Sequence, residues 1–391
     1  MEHSDLLIGF FVIFFGASIF ATIALFTRQT LIIAYMLLGA VVGPYGFKVV
    51  HSMDMVVEIS NIGIMFLLFL LGLNLQLKSL LQTLNKTVLI TFVSSAIFAC
   101  MCFIVCRYYG FSLSASLLIG ASFIFSSTII CLKLLPTTAL HHKHIGNIVI
   151  SVLLLQDIIA IIMLTGLGIL SVGVESFGVL QIIKVFLALP VLLAVGYFAQ
   201  KYVLFQLLRK FNRFQEYIFL VAIGWCLGLS QLAFWMGVPH EIGAFIAGVT
   251  LASSPISQYI YENLKPLRDF FLIVFFFSVG AGFDFTLAYD VLGVVLVLSA
   301  LILIIKPIVY WALLTLFKEE RKSAWEVGAR LGQASEFSLL IAFMAFQSHL
   351  LDQDAYVVIE AVTMLTFIFS SYFVVLKFPS PVAVSDKLRQ D

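Results

Sequence analysis

Apolar runs of roughly 20 residues, the length a helix needs to cross about 30 Å of hydrocarbon, recur along the whole chain, separated by short loops that carry most of the charge. In lipid every backbone N–H and C=O must be satisfied internally, which leaves only helices or a closed barrel. A barrel would show strands of about ten residues alternating apolar and polar, and no such repeat is present. Composition agrees: 62% of the 391 residues are apolar, 11% are charged, and the mean hydropathy is +1.11, outside the range of a soluble domain. The chain is expected to be an all-α polytopic membrane protein of about thirteen transmembrane helices.

The spans fall near residues 6–25, 31–43, 55–75, 87–106, 113–135, 146–170, 179–200, 215–234, 240–253, 269–283, 288–316, 325–346 and 354–376. The second, ninth and tenth are short, and the fifth carries Ser126-Ser127-Thr128 at mid-depth. The first run lacks a basic flank and a small-residue cleavage site, so it reads as a retained helix and not a signal peptide. Four cysteines (Cys100, Cys102, Cys131, Cys226) lie inside apolar spans and Cys106 at a span end. They read as small apolar filler, not a disulfide framework.

Orientation follows from the basic residues. With thirteen spans, one side collects Arg28, Lys78, Lys86, the cluster Lys201, Arg209, Lys210 and Arg213, and most of the rest. The other side holds Lys48 and Arg107, while Lys184, Lys306 and Arg330 fall within spans. The asymmetry places the N-terminus outside and the C-terminus in the cytoplasm. The formal charge of +1 comes with no nucleic-acid patch, and no cofactor motif is present. The loop His141-His142-Lys143-His144 could sense pH near neutrality, but it also reads as a solvated basic loop. After residue 377 only a short cytoplasmic tail, 378–391, follows, so regulation is expected from elsewhere, a separate regulatory subunit for example.

Three ionisable groups sit at mid-membrane, where each costs about 2.5 to 3.5 kcal/mol to insert and is a functional hypothesis by default. They are Asp157 in LLLQDIIAI, Lys306 in LIIKPIVYW and Glu336 in GQASEFSLL. A carboxyl flanked by Leu153 to Leu155 and Ile158 to Ile162 can hold a proton, or coordinate a cation as the carboxylate. Exclusion of one by the other is the minimum physics of exchange. Gln156 beside it offers a neutral carbonyl oxygen to a hard monovalent cation. A permanent Asp157–Lys306 pair is the structural alternative. The hydroxyls of Ser126, Ser127 and Thr128 compete for the backbone and favour local unwinding, although simple hydrogen bonding between helices would also explain them. The stretch Gly332-Gln333-Ala334-Ser335 before Glu336 favours unwinding too. Two interrupted helices seven spans apart match inverted repeats around a midplane ion site. Pro307 should weaken its helix, and Gly39, Gly43, Gly243, Gly248 and Gly280 read as close-packing positions.

These residues resemble the monovalent cation:proton antiporters of the second family, especially the Kef-type potassium/proton antiporters. The likeness covers almost the whole chain. It rests on LLGAVVGPYGF, FIFSSTII, LLLQDIIAI, GAFIAGVTLASS, FFFSVGAGFDF, the IIKP lysine and GQASEFSLL in that order. It implies a homodimer in the inner membrane, with dimerisation helices and a six-helix core holding two crossed discontinuous helices within residues 1–377. It also implies alternating access. Asp157 would carry the ion, Gln156 would mark the potassium type, Thr128 would match the hydroxyl of the unwound segment, and Lys306 and Glu336 would balance charge. Two departures stand out. No nucleotide-binding regulatory domain follows, and Asn74 stands where relatives often have an acid. A cation channel on the same scaffold and a non-transporting membrane sensor are the competing functions.

Overall fold

The structure is a computed structural model that describes residues 2–27, 29–50, 54–73, 77–134, 144–171, 179–211, 214–252, 254 and 256–378. His141, His142, Lys143, Asn74 and the tail 379–391 lie outside the described residues, as does the side chain of His144. Among the described residues the chain is helical and contains no strand. Its helices are α1 (Glu2–Phe26), α2 (Leu31–Val42), α3 (Asp54–Leu73), α4 (Leu77–Tyr108), α5 (Leu113–Ser122) and α6 (Thr128–Leu134). They continue as α7 (His144–Ser171), α8 (Val179–Ala199), α9 (Phe205–Lys210), α10 (Gln215–Trp235), α11 (His240–Ala252) and α12 (Ser257–Ala281). The last are α13 (Phe285–Asp290), α14 (Leu292–Leu316), α15 (Arg321–Arg330), α16 (Glu336–Gln347) and α17 (Gln353–Lys377).

Among the described residues, eight helices are long and apolar enough to cross a membrane, and α2, α5, α11 and α16 are shorter apolar helices. Two expected spans are interrupted as anticipated. The fifth breaks between α5 and α6, and the twelfth between α15 and α16. Several helices run past the apolar runs that announce them. α4 begins at Leu77 and α12 at Ser257, because a helix continues into polar sequence once nucleated, whereas hydropathy marks only the part lipid surrounds. A π-helical turn, Gln200–Leu204, carries α8 on into α9.

The chain divides into two compact units. The first comprises Met1–Ile8, His51–Leu77 and Thr165–Ser278. Its centre is α11 packed on α3, α10 and α8, around Phe66, Phe69, Leu192, Leu229 and Ala247. Small residues let the helices approach closely: a side chain at Gly248 would run into the carbonyl oxygen of Phe69, and one at Gly72 would come within 2.5 Å of the carbonyl oxygen of Phe245.

The second unit comprises Gly9–Val50, Lys78–Leu164 and Val279–Asp391. Here α17 touches α2, α5, α6, α13, α14, α15 and α16. A second core gathers Phe98, Cys131, Val149, Val152, Tyr310, Leu314 and Val327. α14 runs unbroken through Pro307. The expected weakening appears instead as a packing surface, since Gly328 lies against the Pro307 carbonyl and Gly332 against its ring. That contact seats the neighbouring Lys306 beside the second helix break. Along α1, Phe11, Phe15, Ile19 and Ile23 are exposed, as expected of a helix whose solvent is lipid.

Candidate functional site

The two helix breaks, 123–127 and 331–335, lie against each other within the second unit. Ser338 donates its hydroxyl to the Ser122 carbonyl (2.6 Å), and Ser126 donates to the Leu331 carbonyl (2.8 Å). Further along, the Cys131 thiol reaches the Arg330 carbonyl (2.7 Å), and Arg330 donates to the Leu134 carbonyl (2.8 Å). As the first interrupted helix runs from 122 to 134 its partners run from 338 back to 330, so the two interrupted helices pass each other antiparallel.

Unwinding leaves main-chain groups that must find partners in a place without water. At the C-terminal ends of α5 and α15 the free carbonyls concentrate partial negative charge. The Lys306 ammonium, fully buried, donates to both strands at once, to the Phe125 carbonyl (2.6 Å) and the Gln333 carbonyl (3.0 Å). It also sits 5.2 Å from the centre of the Phe98 ring. Lys306 therefore spends its donors on backbone carbonyls. Among the described residues no ion pair joins it to Asp157.

The N-terminal ends of α6 and α16, where partial positive charge gathers, meet the acids Asp157 and Glu336 respectively. Asp157, on α7 and 3% exposed, accepts a hydrogen bond from the Thr128 hydroxyl at 3.3 Å, Thr128 being the first residue of α6. Glu336 is the first residue of α16 and lies close enough for its charge to act on Asp157. Ser335 caps α16 in a reciprocal capping box with Ser338. Ser127 likewise accepts from the Ile130 N–H (3.1 Å).

Gln156 is engaged on every side. Its carbonyl oxygen accepts from the Ser126 N–H (3.0 Å). Its amide donates to the Ile124 carbonyl (3.1 Å) and to the Tyr310 hydroxyl (2.8 Å). Because one backbone partner can only donate and another can only accept, the orientation of the amide is fixed. Of the hydroxyls expected at an ion, Ser126 and Ser127 serve the break itself, which leaves Thr128 facing Asp157.

Sequence reasoning missed Tyr310 and Gln333. Tyr310 lies one helical turn after Lys306, so the helical period could have flagged it. Gln333 accepts from Ser370 (3.0 Å), donates to the Cys131 sulfur (3.3 Å) and offers its carbonyl to Lys306. Missed as well was Glu360 on α17, which is wholly buried.

Comparison with known proteins places this geometry in context. The family described as sodium/hydrogen exchanger, transmembrane, matches residues 9–376. The iron transporter MagA of Paramagnetospirillum magneticum is 25% identical over 352 residues, covering 88% of this chain and 80% of MagA. The K(+) efflux antiporter 5 of Arabidopsis thaliana is 25% identical, over 93% of this chain and 64% of its own. The glutathione-regulated potassium-efflux system protein KefC of an Enterobacter species is 29% identical over 83% of this chain, which spans only 52% of KefC. Among solved structures, the sodium proton antiporter MjNhaP1 of Methanocaldococcus jannaschii superimposes with a TM-score of 0.71 at 16% identity, over 95% of this chain and 96% of that one. The likeness extends to the whole fold.

Proposed function

This chain belongs to the sodium/hydrogen exchanger family, and from that membership and the surroundings of Asp157 we propose that it exchanges a monovalent cation for a proton at that residue. The observation that carries the reading is the partnership of Asp157. It is buried, among the described residues it accepts a hydrogen bond from the Thr128 hydroxyl, and Lys306 is committed to carbonyls. A carboxyl placed so is available to a proton or to a cation, and binding of either excludes the other. The Thr128 hydroxyl can donate to a carboxylate or turn its oxygen to a metal ion. Hard oxygen donors, with no thiolate or imidazole bonded to Asp157 among the described residues, suit an alkali cation better than a transition metal.

Potassium is the favoured ion. Neutral Gln156 stands next to Asp157, and a site with few charged oxygens suits the ion that is cheaper to dehydrate. The names of the plant and bacterial efflux proteins point the same way. Lys306 and Glu336 keep the charges of the two breaks balanced whichever ion is bound. The positive-inside asymmetry supports an inner-membrane protein with its N-terminus outside. Alternating access by a homodimer completes the reading, with residues 1–377 as the transporting domain.

A pH-jump assay tests it. Purified protein in proteoliposomes with a pH-sensitive dye is given K⁺, Na⁺ or Li⁺ under an imposed proton gradient. Wild type is expected to move protons in response to K⁺, and Asp157→Asn to be silent. Proton movement that survives in Asp157→Asn overturns the mechanism. Cation flux that persists without proton movement makes the protein a channel.

A further inference from the structure

One buried acid takes no part in the site above. Glu360 lies in α17, 0% exposed, and among the described residues no group meets either carboxylate oxygen in good hydrogen-bond geometry. The Tyr356 hydroxyl, one turn earlier, lies within interaction range of it. One turn later Thr363 is also fully buried, and among the described residues its hydroxyl oxygen too is without a partner. Helical spacing puts Tyr356, Glu360, Thr363 and Ser370 on one face of α17, with Thr366 at its margin. That side of the helix meets the second break, because the Thr366 hydroxyl accepts from the Ala334 N–H (3.2 Å) and Ser370 donates to Gln333 (3.0 Å). At about 1.5 Å per residue, Glu360 stands about 9 Å along the axis from Thr366.

A glutamate kept for packing would have its oxygens tied to N–H or hydroxyl groups, since an orphaned buried acceptor is costly. Two orphaned polar side chains one turn apart, leading to the break, are instead what a proton path leaves behind. The elements packed on α17 bring Glu336 (α16), Lys306 and Tyr310 (α14), Asp290 (α13), Tyr35 (α2) and Arg330 (α15). Lys306 and Arg330 are held by main-chain carbonyls and Tyr310 by Gln156. None of these three supplies a permanent partner for Glu360.

We propose that Glu360 is a second protonation site, a relay in the outer half of the membrane that passes protons along Thr363 toward the break where Glu336 and Asp157 stand. The proposal rests on the exchange reading and deepens it. The proton enters on the Glu360 carboxylate from the outer face and moves by way of the Thr363 hydroxyl and water. It ends on the Asp157 carboxylate as the cation leaves, and Glu360 is restored for the next proton.

The test uses full-length protein in proteoliposomes, comparing wild type, Asp157→Asn, Glu360→Gln, Glu360→Asp and Thr363→Val. A parallel arm treats each with dicyclohexylcarbodiimide, which modifies protonated carboxyls in apolar surroundings, and maps adducts by mass spectrometry. Glu360→Gln is expected to slow exchange about tenfold and to flatten its dependence on external pH, with the half-saturating K⁺ concentration unchanged. Glu360→Asp should restore much of the rate, and the adduct should appear on Glu360 in wild type and in Asp157→Asn alike. Wild-type rate and pH profile in Glu360→Gln, or no adduct on Glu360, overturns the relay. Failure of wild type to exchange would sink the exchange reading, and the adduct would still decide whether Glu360 carries a proton.

Discussion

The side-chain oxygen of Gln156 accepts a hydrogen bond from the backbone N–H of Ser126 at 3.0 Å, across 30 residues of sequence. With the bonds from its amide to Ile124 and Tyr310, this makes Gln156 the clasp of the first unwound strand. Gln156→Leu would orphan a buried N–H and a buried C=O, each costing about 1 to 3 kcal/mol. A clear drop in the detergent melting temperature is expected. A variant that melts like wild type but binds K⁺ more weakly would show the amide to be an ion ligand and not a clasp.

Lys306→Met should be destabilising in the same way. It removes two charge-assisted bonds to the carbonyls of Phe125 and Gln333, each worth about 1.5 to 3 kcal/mol, and leaves two helix ends of like polarity facing each other. The melting temperature should fall at every K⁺ concentration, since the loss lies in the scaffold. A stability unchanged from wild type would show that water substitutes for the ammonium.

Gly248→Ala probes the first unit. The added methyl would meet the carbonyl oxygen of Phe69, and forcing α11 off α3 is expected to cost about 1 to 3 kcal/mol. Gly228→Ala on α10, where nothing lies within 4 Å, is the control and should be neutral or stabilise by up to about 1 kcal/mol. Equal melting temperatures for the two variants would refute the close approach.

Asp284 gives the molecule an acid-sensitive corner. It caps α13, accepting from the Thr286 hydroxyl (2.6 Å) and from the N–H groups of Thr286 (2.8 Å) and Leu287 (3.5 Å). The Thr286 hydroxyl foremost holds its carboxyl below the usual carboxylate range. A depressed value means that its stabilising effect is present above the unfolded-state pKa and fades as pH falls through the folded one. Deuterium exchange over 285–290, corrected for intrinsic rates, should quicken only in strongly acidic solution for wild type. In Thr286→Val the quickening should begin at higher pH; identical profiles would show that the hydroxyl has no such influence.

The helices and both breaks were legible in the sequence for a simple reason: lipid imposes length and apolarity, and a Ser/Thr run or a Gly-Gln-Ala-Ser stretch at mid-depth conflicts with both. Asp157, Lys306 and Glu336 announced themselves by the same conflict. The partners of each group were hidden. Sequence offers the Gln156 amide as a ligand, but only tertiary structure reveals that its atoms are already engaged by Ser126, Ile124 and Tyr310. Likewise, Lys306 looks like a counter-ion for Asp157 until the carbonyls freed by unwinding are in view. Glu360 escaped because it falls early in its span, near Asp352 and Asp354, where acids ordinarily meet water. Its complete burial comes from neighbours far away in the chain.

A single ammonium gripping both unwound strands is also a mechanical statement. Neither half-helix can swing alone without tearing one of the two grips, so the crossed pair is geared to travel as one rigid block. If exchange proceeds at Asp157 as proposed, exposing that carboxyl to one face and then to the other would mean shifting that block against its surroundings, leaving the knot at its centre tied.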